Sequence, residues 1–378
     1  MTKPRIILLG STGRIGQQAL ELIKAYPQDF ELVGISGYQN EALLRSQITT
    51  YQPRFVCVST PAMASALERD FPSITFLYGE SGLLDLVSTP EADLVAMAIV
   101  GVAALKPTLR ALETGKDVAL ASKEVLVAAG QIVNETCTRF KRKLFPIDSE
   151  HAAIDICLKG VAPDHIKKLI LTASGGPFLN RKDLNTITVK EALCHPNWVM
   201  GKKITIDSAT LANKGLEVLE AHWLFNQPLD KIEVLVHPQS IVHGLVELIN
   251  GAQLAQMSQP DMKMPILYAL SRGQITPFND CPLDLTKTPL TFDYPDTHRF
   301  PALRLAYESG RLGQTFPAVF NAANEAAVDL FLAERIAFLD IATLIEKALQ
   351  HHQALPTLSL ESILDADLTT RHYVQDTI

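Results

Sequence analysis

Along residues 1–148, short runs of nearly unbroken apolar residues alternate with longer stretches whose apolar positions recur every three or four residues. The runs at 5–10, 31–36, 54–59, 93–100, 117–122 and 143–148 read as strands. The stretches at 15–26, 105–115 and 126–140 read as helices. Strands alternating with helices predict βαβ units on a parallel sheet. Strands this uniformly apolar are covered on both faces, so residues 1–148 are expected to form an α/β, doubly wound domain.

After Asp148 the rhythm changes. Strand-like runs at 167–174, 202–210, 231–238 and 241–249 are separated by loops rich in Gly, Pro, Asn and Trp, with one strong helical pattern at 213–225. This predicts a central α+β domain over 149–273. Residues 274–299 carry Pro and Asp without sustained periodicity and are expected to be a linker. Residues 300–378 are helical in pattern and predict a C-terminal helical bundle. There is no internal repeat.

Composition narrows the function classes. With 378 residues and 47% hydrophobic content the chain can build ordinary buried cores. A formal net charge of −7 offers no basic field for a nucleic-acid backbone. The cysteines Cys57, Cys137, Cys157, Cys194 and Cys281 form no C-x-x-C pair, and read as small buried hydrophobes in a reducing compartment. The N-terminus has no signal-peptide pattern. The longest apolar run, Leu94 to Leu105, falls short of the ~20 residues that cross a bilayer. A soluble, cytoplasmic protein with no membrane or nucleic-acid partner is expected.

Gly10-Ser-Thr-Gly13-Arg-Ile-Gly16 follows the first strand and opens a helix, the context of a Rossmann-like dinucleotide loop. Small residues let the backbone approach a pyrophosphate at the helix N-terminus. NAD-selective sites place an acid at the end of the second strand, on the ribose 2′-hydroxyl. Here the segment is Gly34-Ile-Ser-Gly37-Tyr38-Gln39-Asn40, without an acid. That favours NADP(H), with Arg14 either a 2′-phosphate partner or a solvated surface residue.

Asp148-Ser149-Glu150 closes the strand at 143–148, where open α/β sheets bind ligands. On an extended segment the two carboxylates point the same way, and a divalent cation relieves their repulsion. The third candidate is Glu217, with Glu220, one turn on, either the ligand in its place or a solvated face. Thr172-Ala-Ser174-Gly-Gly-Pro177 ends one strand and Asp207-Ser208-Ala-Thr210 another, while Asn213-Lys214 opens the helix carrying Glu217. Together these suggest an anion nest for a phosphorylated substrate. His195-Pro-Asn-Trp198-Val-Met200-Gly201 has the make-up of a lid.

GSTGRIG, ASKE, PIDSEH, TASGGPF, HPNWVMGKKITIDSAT and NKGLEVLEAHWLF, in this order, closely resemble the 1-deoxy-D-xylulose 5-phosphate reductoisomerase family over essentially the whole chain. The resemblance implies an NADPH- and metal-dependent enzyme of the non-mevalonate isoprenoid pathway, using Mg²⁺ or Mn²⁺, with Co²⁺ a further candidate. Its substrate would be 1-deoxy-D-xylulose 5-phosphate, and its assembly a homodimer with strands 231–249 as candidate surface. By position, Asp148, Glu150 and Glu217 match metal ligands and, with Lys123, the catalytic groups. Lys123, Ser149, Glu150, Ser174, His195, Ser208, Asn213, Lys214 and Glu217 match substrate contacts. Thr12, Gly13, Arg14, Ile15, Gly37, Tyr38, Gln39, Ser122, Glu124 and Gly201 match cofactor contacts, and His195, Trp198 and Met200 the lid.

Three departures lie on the cofactor side. Arg14 replaces the serine of the usual GSTGSIG, Tyr38-Gln39 stands where a Lys-Asn type pair is common, and Ser122 replaces an Asn. Two rival readings remain open on the residues alone. One is a semialdehyde or homoserine dehydrogenase, which would lack metal dependence. The other is an NADP-binding regulator without turnover.

Overall fold

A computed structural model describes residues 3–198, 200–278, 282–287, 289–354 and 357–378. Cys281, and Val199 of the expected lid, fall outside the described residues, as do seven others in the N-terminus, the linker and the helical C-terminal region; every expected site residue is described. The chain divides into two compact units. One comprises 1–125, 133–152 and 261–278, the other 126–132, 153–260 and 279–378.

The first unit is built on seven parallel strands, β1 (Arg5–Leu9), β2 (Glu31–Ser36), β3 (Phe55–Val58), β4 (Thr75–Tyr78), β5 (Leu94–Met97), β6 (Asp117–Leu120) and β7 (Leu144–Pro146). Their order is β4-β3-β2-β1-β5-β6-β7, so the chain reverses direction across the sheet between β1 and β5. The crossovers are α1 (Arg14–Ala25), α2 (Glu41–Tyr51), α3 (Pro61–Asp70), α4 (Gly79–Ser88), α5 (Leu105–Glu113) and α6 (Lys123–Phe140). Ile6, Leu8, Ile35, Val56, Leu94 and Ala96 are fully buried or nearly so, as expected for a sheet covered on both faces. The doubly wound α/β expectation is met, and β4 is the strand its pattern did not reveal. Thr75–Tyr78 sits at the sheet edge with only partial burial, so its hydrophobic signal is weak.

α7 (Ser149–Leu158) follows β7. The second unit holds a four-stranded sheet of β8 (Ile166–Ala173), β9 (Ile232–Val236), β10 (Val242–Leu248) and β11 (Gln253–Met257), in the order β11-β10-β8-β9. Between β8 and β9 lie α8 (Val189–Ala192), α9 (Lys202–Thr210) and α10 (Ala212–Leu224). α11 (Lys263–Leu270) returns to the first unit, where Arg272, just past its end, lies 2.5 Å from Asp93 Oδ1. The second unit closes with α12 (Ala302–Leu312), α13 (Phe316–Leu332), α14 (Asp340–His351) and α15 (Leu360–Asp376), the expected C-terminal helices. No helix among the described residues is long and apolar enough to cross a membrane.

One expected strand is a helix. Residues 202–210 read as β because Ile204, Thr205 and Ile206 are β-branched, yet they form α9. Burial at Thr205, Ile206, Ala209 and Thr210 has helical spacing, and Lys203 meets Asp207 one turn on at 2.8 Å. Packing has overridden local propensity here. Asp207-Ser208-Ala-Thr210 therefore closes a helix, not a strand.

Candidate active site

In the first unit the β1–α1 turn is shaped by its glycines. Gly10 has φ +80°, and a Cβ there would lie 2.5 Å from the Ala98 carbonyl oxygen. A Cβ on Gly16 would lie 2.3 Å from the Gly10 carbonyl oxygen. Buried Ser11 pins the loop from below. Its amide donates to Ser36 O at 2.9 Å, its hydroxyl to Gln47 Oε1 at 2.7 Å, and Gln47 Nε2 donates back to Ser11 O at 2.9 Å. Ser36 Oγ accepts from Gly10 N at 3.0 Å, so the end of β2 is spent on holding the loop. Gly13 caps α1 without a side chain, and the first-turn amides that follow are the donors a helix offers to an anion. Thr12, Arg14 and Ile15 belong to this turn, Gly37 lies beside Thr12, where a Cβ would come within 3.3 Å of Thr12 Cγ2, and Tyr38 and Gln39 follow it in sequence. Arg14 and Gln39 are exposed, and Tyr38 is 70% exposed.

A second group gathers at the carboxyl ends of β6 and β7. Buried Ser122 stands at the cap of α6 and its hydroxyl bonds the Ile99 carbonyl. Lys123 and Glu124, in the first turn of that helix, are buried as well. Lys123 Nζ lies 2.6 Å from Asp148 Oδ2. Asp148 immediately precedes α7: its carbonyl accepts from Ala152 N at 2.9 Å and its side chain from Ser149 N at 3.1 Å, while Ser149 Oγ donates to Glu150 Oε2 at 2.5 Å. This corrects the extended geometry expected for Asp148-Ser149-Glu150, because Ser149 and Glu150 already form the first turn of a helix. Two-residue alternation does not apply there, and acidic groups are favoured at the positive end of α7. His151, fully buried with Nδ1 3.8 Å from Asp148 Oδ2, is a site residue the sequence reading missed. Its signal was the three-residue spacing from Asp148, which is meaningful only on a helix.

The second unit brings the expected phosphate residues together. Strand β8 is followed by Ser174-Gly175-Gly176, both glycines at positive φ, and a Cβ on Gly176 would lie 2.8 Å from the Ser208 carbonyl oxygen in the last turn of α9. Leu211, buried and left-handed at φ +62°, joins α9 to α10, so Ser208 and the first turn of α10 adjoin. From that turn Asn213 Nδ2 donates to Glu217 Oε1 at 2.5 Å, and Lys214 bonds the other oxygen of the same carboxylate. Glu217 is 1% exposed, and Glu220 equally buried.

His195, Asn197 and Trp198 of the expected lid are joined by hydrogen bonds. His195 Nδ1 accepts from the amides of Asn197 at 3.2 Å and Trp198 at 3.0 Å. An accepting Nδ1 leaves the proton of the neutral ring on Nε2, which donates to Ser174 Oγ at 2.9 Å. Ser174 Oγ also accepts from Gly176 N at 3.2 Å, so its own hydroxyl proton is directed elsewhere. Burial pulls the His195 pKa below its ordinary 6.5, in keeping with this neutral form. Asn197, another residue the sequence reading passed over, donates from Nδ2 to Pro238 O at 2.6 Å and to Ser240 Oγ at 2.9 Å. The Trp198 indole meets the His243 ring edge-on at 6.2 Å. Met200 is half-buried, and Gly201 caps α9 with open space beside it.

Family models named for 1-deoxy-D-xylulose 5-phosphate reductoisomerase match residues 6–130, and models of its C-terminal domains match 144–225 and 257–373. The 1-deoxy-D-xylulose 5-phosphate reductoisomerase of a Synechococcus species is 50% identical over 375 residues, covering 97% of this chain and 95% of its own length. The chain belongs to the 1-deoxy-D-xylulose 5-phosphate reductoisomerase family. The Caldanaerobacter subterraneus reductoisomerase is 48% identical, covering 98% of each chain. Among solved structures, a reductoisomerase in complex with NADPH, fosmidomycin and magnesium superposes with TM-score 0.93 at 38% identity, over 99% of this chain and 98% of that one. The Zymomonas mobilis reductoisomerase in complex with NADPH gives 0.92 at 38%, with the same coverage. Nine of the ten cofactor candidates belong to the first unit and Gly201 to the second.

Proposed function

We propose that this reductoisomerase rearranges the carbon skeleton of 1-deoxy-D-xylulose 5-phosphate to an aldehyde and reduces it with NADPH to 2-C-methyl-D-erythritol 4-phosphate. Full-length family membership at 50% identity carries this reading. The segments 1–148, 149–273, 274–299 and 300–378 would serve as NADPH-binding, catalytic, linking and C-terminal helical parts, and the location would be cytoplasmic. The experiment is product analysis: one 2-C-methyl-D-erythritol 4-phosphate is expected per NADPH consumed, and oxidation without that product would refute the assignment.

Asp148, Glu150 and Glu217 are proposed to hold the divalent cation. The donor set fits a hard ion, because all three offer carboxylate oxygens and Glu217 is a buried anion. When bound, the cation supplies Lewis-acid polarisation of the substrate's oxygens and NADPH supplies the hydride. The chain's own groups orient and shield. Lys123 compensates the Asp148 carboxylate and stands beside the substrate, while Ser149 fixes the Glu150 carboxylate. Ser174, Ser208, Asn213 and Lys214 receive the phosphate at the start of α10, and His195, Trp198 and Met200 exclude water above it. Thr12, Gly13, Arg14, Ile15, Gly37, Tyr38, Gln39, Ser122, Glu124 and Gly201 would contact NADPH.

Exposed Arg14 would take over the 2′-phosphate from the missing lysine. Arg14→Ala is expected to raise the KM for NADPH about tenfold and to narrow the preference over NADH, since a charge-assisted phosphate contact is worth roughly 1.5–3 kcal/mol. Unchanged cofactor kinetics would refute the role. The same proposal includes a homodimer through residues 231–249, supported by the exposed Ile249, Met257 and Tyr294 on and near the second sheet. A light-scattering mass of 41.5 kDa, that of one chain, would count against it.

The lid tie gives a pH dependence. Neutral His195 holds the loop, and its pKa in the folded protein lies below the ordinary 6.5. The tie is therefore at full strength above 6.5 and weakens as pH falls through the lower folded value, where protonation of Nδ1 removes the acceptor for Asn197 and Trp198. The KM for the phosphorylated substrate is expected to climb on acidification, with a smaller climb in His195→Asn. The substrate phosphate titrates near pH 6 against both proteins, so the difference between the profiles isolates His195. Identical profiles would contradict the tie.

A further inference from the structure

Helix α9 directly follows the lid and carries Ser208 in its last turn, and its inner face is wired to two C-terminal helices. Asp207, 1% exposed, accepts from Asn324 Nδ2 at 2.8 Å and lies 2.8 Å from Lys203 Nζ. Lys203 also approaches Glu325 Oε1 at 4.0 Å. The Glu325 carboxylate receives Asn321 Nδ2 at 3.3 Å and the Arg371 guanidinium at 2.5 Å. Arg371 in turn grips Asp367 through two bonds, at 2.7 and 2.9 Å. The chain of contacts runs α15 to α13 to α9.

This network costs the fold something. Asn321 and Asn324 are completely buried on a mostly apolar helix, and the side-chain carbonyl oxygen of each has no hydrogen-bond partner among the described residues. Apolar residues there would satisfy packing at lower cost. What the polar pair provides is direction. Successive residues on a helix point 100° apart. With Asp207 locked toward α13, the Ser208 side chain is turned to one bearing, while its backbone lies against Gly176.

We propose that Asn324, Glu325 and Arg371 are positioning residues for the substrate's phosphate end, setting the roll of α9 and so the placement of the Ser208 hydroxyl. The inference rests on the phosphate role of Ser208 proposed above. A misplacement of about 1 Å at a binding group costs up to on the order of 10²-fold. Asn324→Ala and Arg371→Met are therefore expected to raise the KM for 1-deoxy-D-xylulose 5-phosphate about tenfold, with kcat within about twofold and the KM for NADPH unchanged, and Arg371→Lys to recover part of the loss.

The deciding comparison is a double-mutant cycle. If Asn324 acts through Ser208, Asn324→Ala adds little to the KM of Ser208→Ala; independent, multiplying effects would overturn the positioning role. Should Asn324→Ala fold poorly, Glu325→Gln keeps the shape and removes only the charge facing Lys203 and Arg371, and is expected to couple to Ser208→Ala in the same way. A lowered Tm with both KM values unchanged would make the network purely structural and overturn the proposal. Calorimetric binding of inorganic phosphate needs no turnover and separates this inference from the proposed reaction. Weaker phosphate binding by Asn324→Ala supports it even if the wild type proves inactive, and unchanged phosphate affinity defeats it even if the wild type is active.

Discussion

Glu150→Gln is expected to lower kcat at least about 10³-fold while leaving the fold and NADPH binding intact. Gln has the size of Glu and can still accept from Ser149 Oγ, which lies 2.5 Å from the carboxylate in the wild type. It removes the negative charge that a hard cation requires, and an amide oxygen replaces a carboxylate poorly. The residue is half-buried in the first turn of α7, so its loss to the helix is only the roughly 0.3–1 kcal/mol of an acid near an N-terminus. Stopped-flow turnover with saturating Mg²⁺, together with NADPH fluorescence titration, separates the two effects. A variant with near-normal kcat would remove Glu150 from the metal site.

Gly16→Ala is expected to weaken NADPH binding at least about 10²-fold and to destabilise the protein by about 1–3 kcal/mol. The added Cβ would lie 2.3 Å from Gly10 O and 2.7 Å from Ser11 Cα, and these are backbone atoms that cannot swing aside. The loop would have to move, while the Ser11–Ser36–Gln47 bonds hold it where it is. The first-turn amides of α1 would then no longer be aimed at a pyrophosphate. Gly13→Ala, whose Cβ would meet only Gly10 O at 3.3 Å, is the internal comparison and should lose far less. Fluorescence titration with NADPH and a thermal melt measure both quantities. Wild-type affinity in Gly16→Ala would mean that this turn does not hold the cofactor.

The seven-stranded sheet was legible from residues because buried parallel strands such as β1 and β5 carry continuous apolar runs between helical patterns. The glycine turn was legible because a strand, three small residues and a helix coincide there. Legibility failed where local signals compete with packing. Ile204-Thr205-Ile206 favours a strand locally, yet burial against α13 makes it part of α9. Asp148 looked like the end of a strand because KLFPID is apolar, and its carbonyl's place at the start of α7 appears only in three dimensions. Partners such as Asn197 and Asn324 carry no spacing signal of their own, and the spacing of His151 from Asp148 has meaning only once the segment is known to be helical. Their roles depend on contacts across helix turns, loops or more than a hundred residues of chain, as between Asn324 and Asp207.

The most direct measurement is NADPH oxidation, followed at 340 nm, with 1-deoxy-D-xylulose 5-phosphate in the presence of Mg²⁺ and then of excess EDTA. Oxidation that requires the substrate, stops on chelation and returns with added Mg²⁺ is the predicted result. Folded protein that binds NADPH but oxidises none with the substrate, or oxidises it equally well in EDTA, would contradict a carboxylate-held cation acting on a phosphorylated sugar.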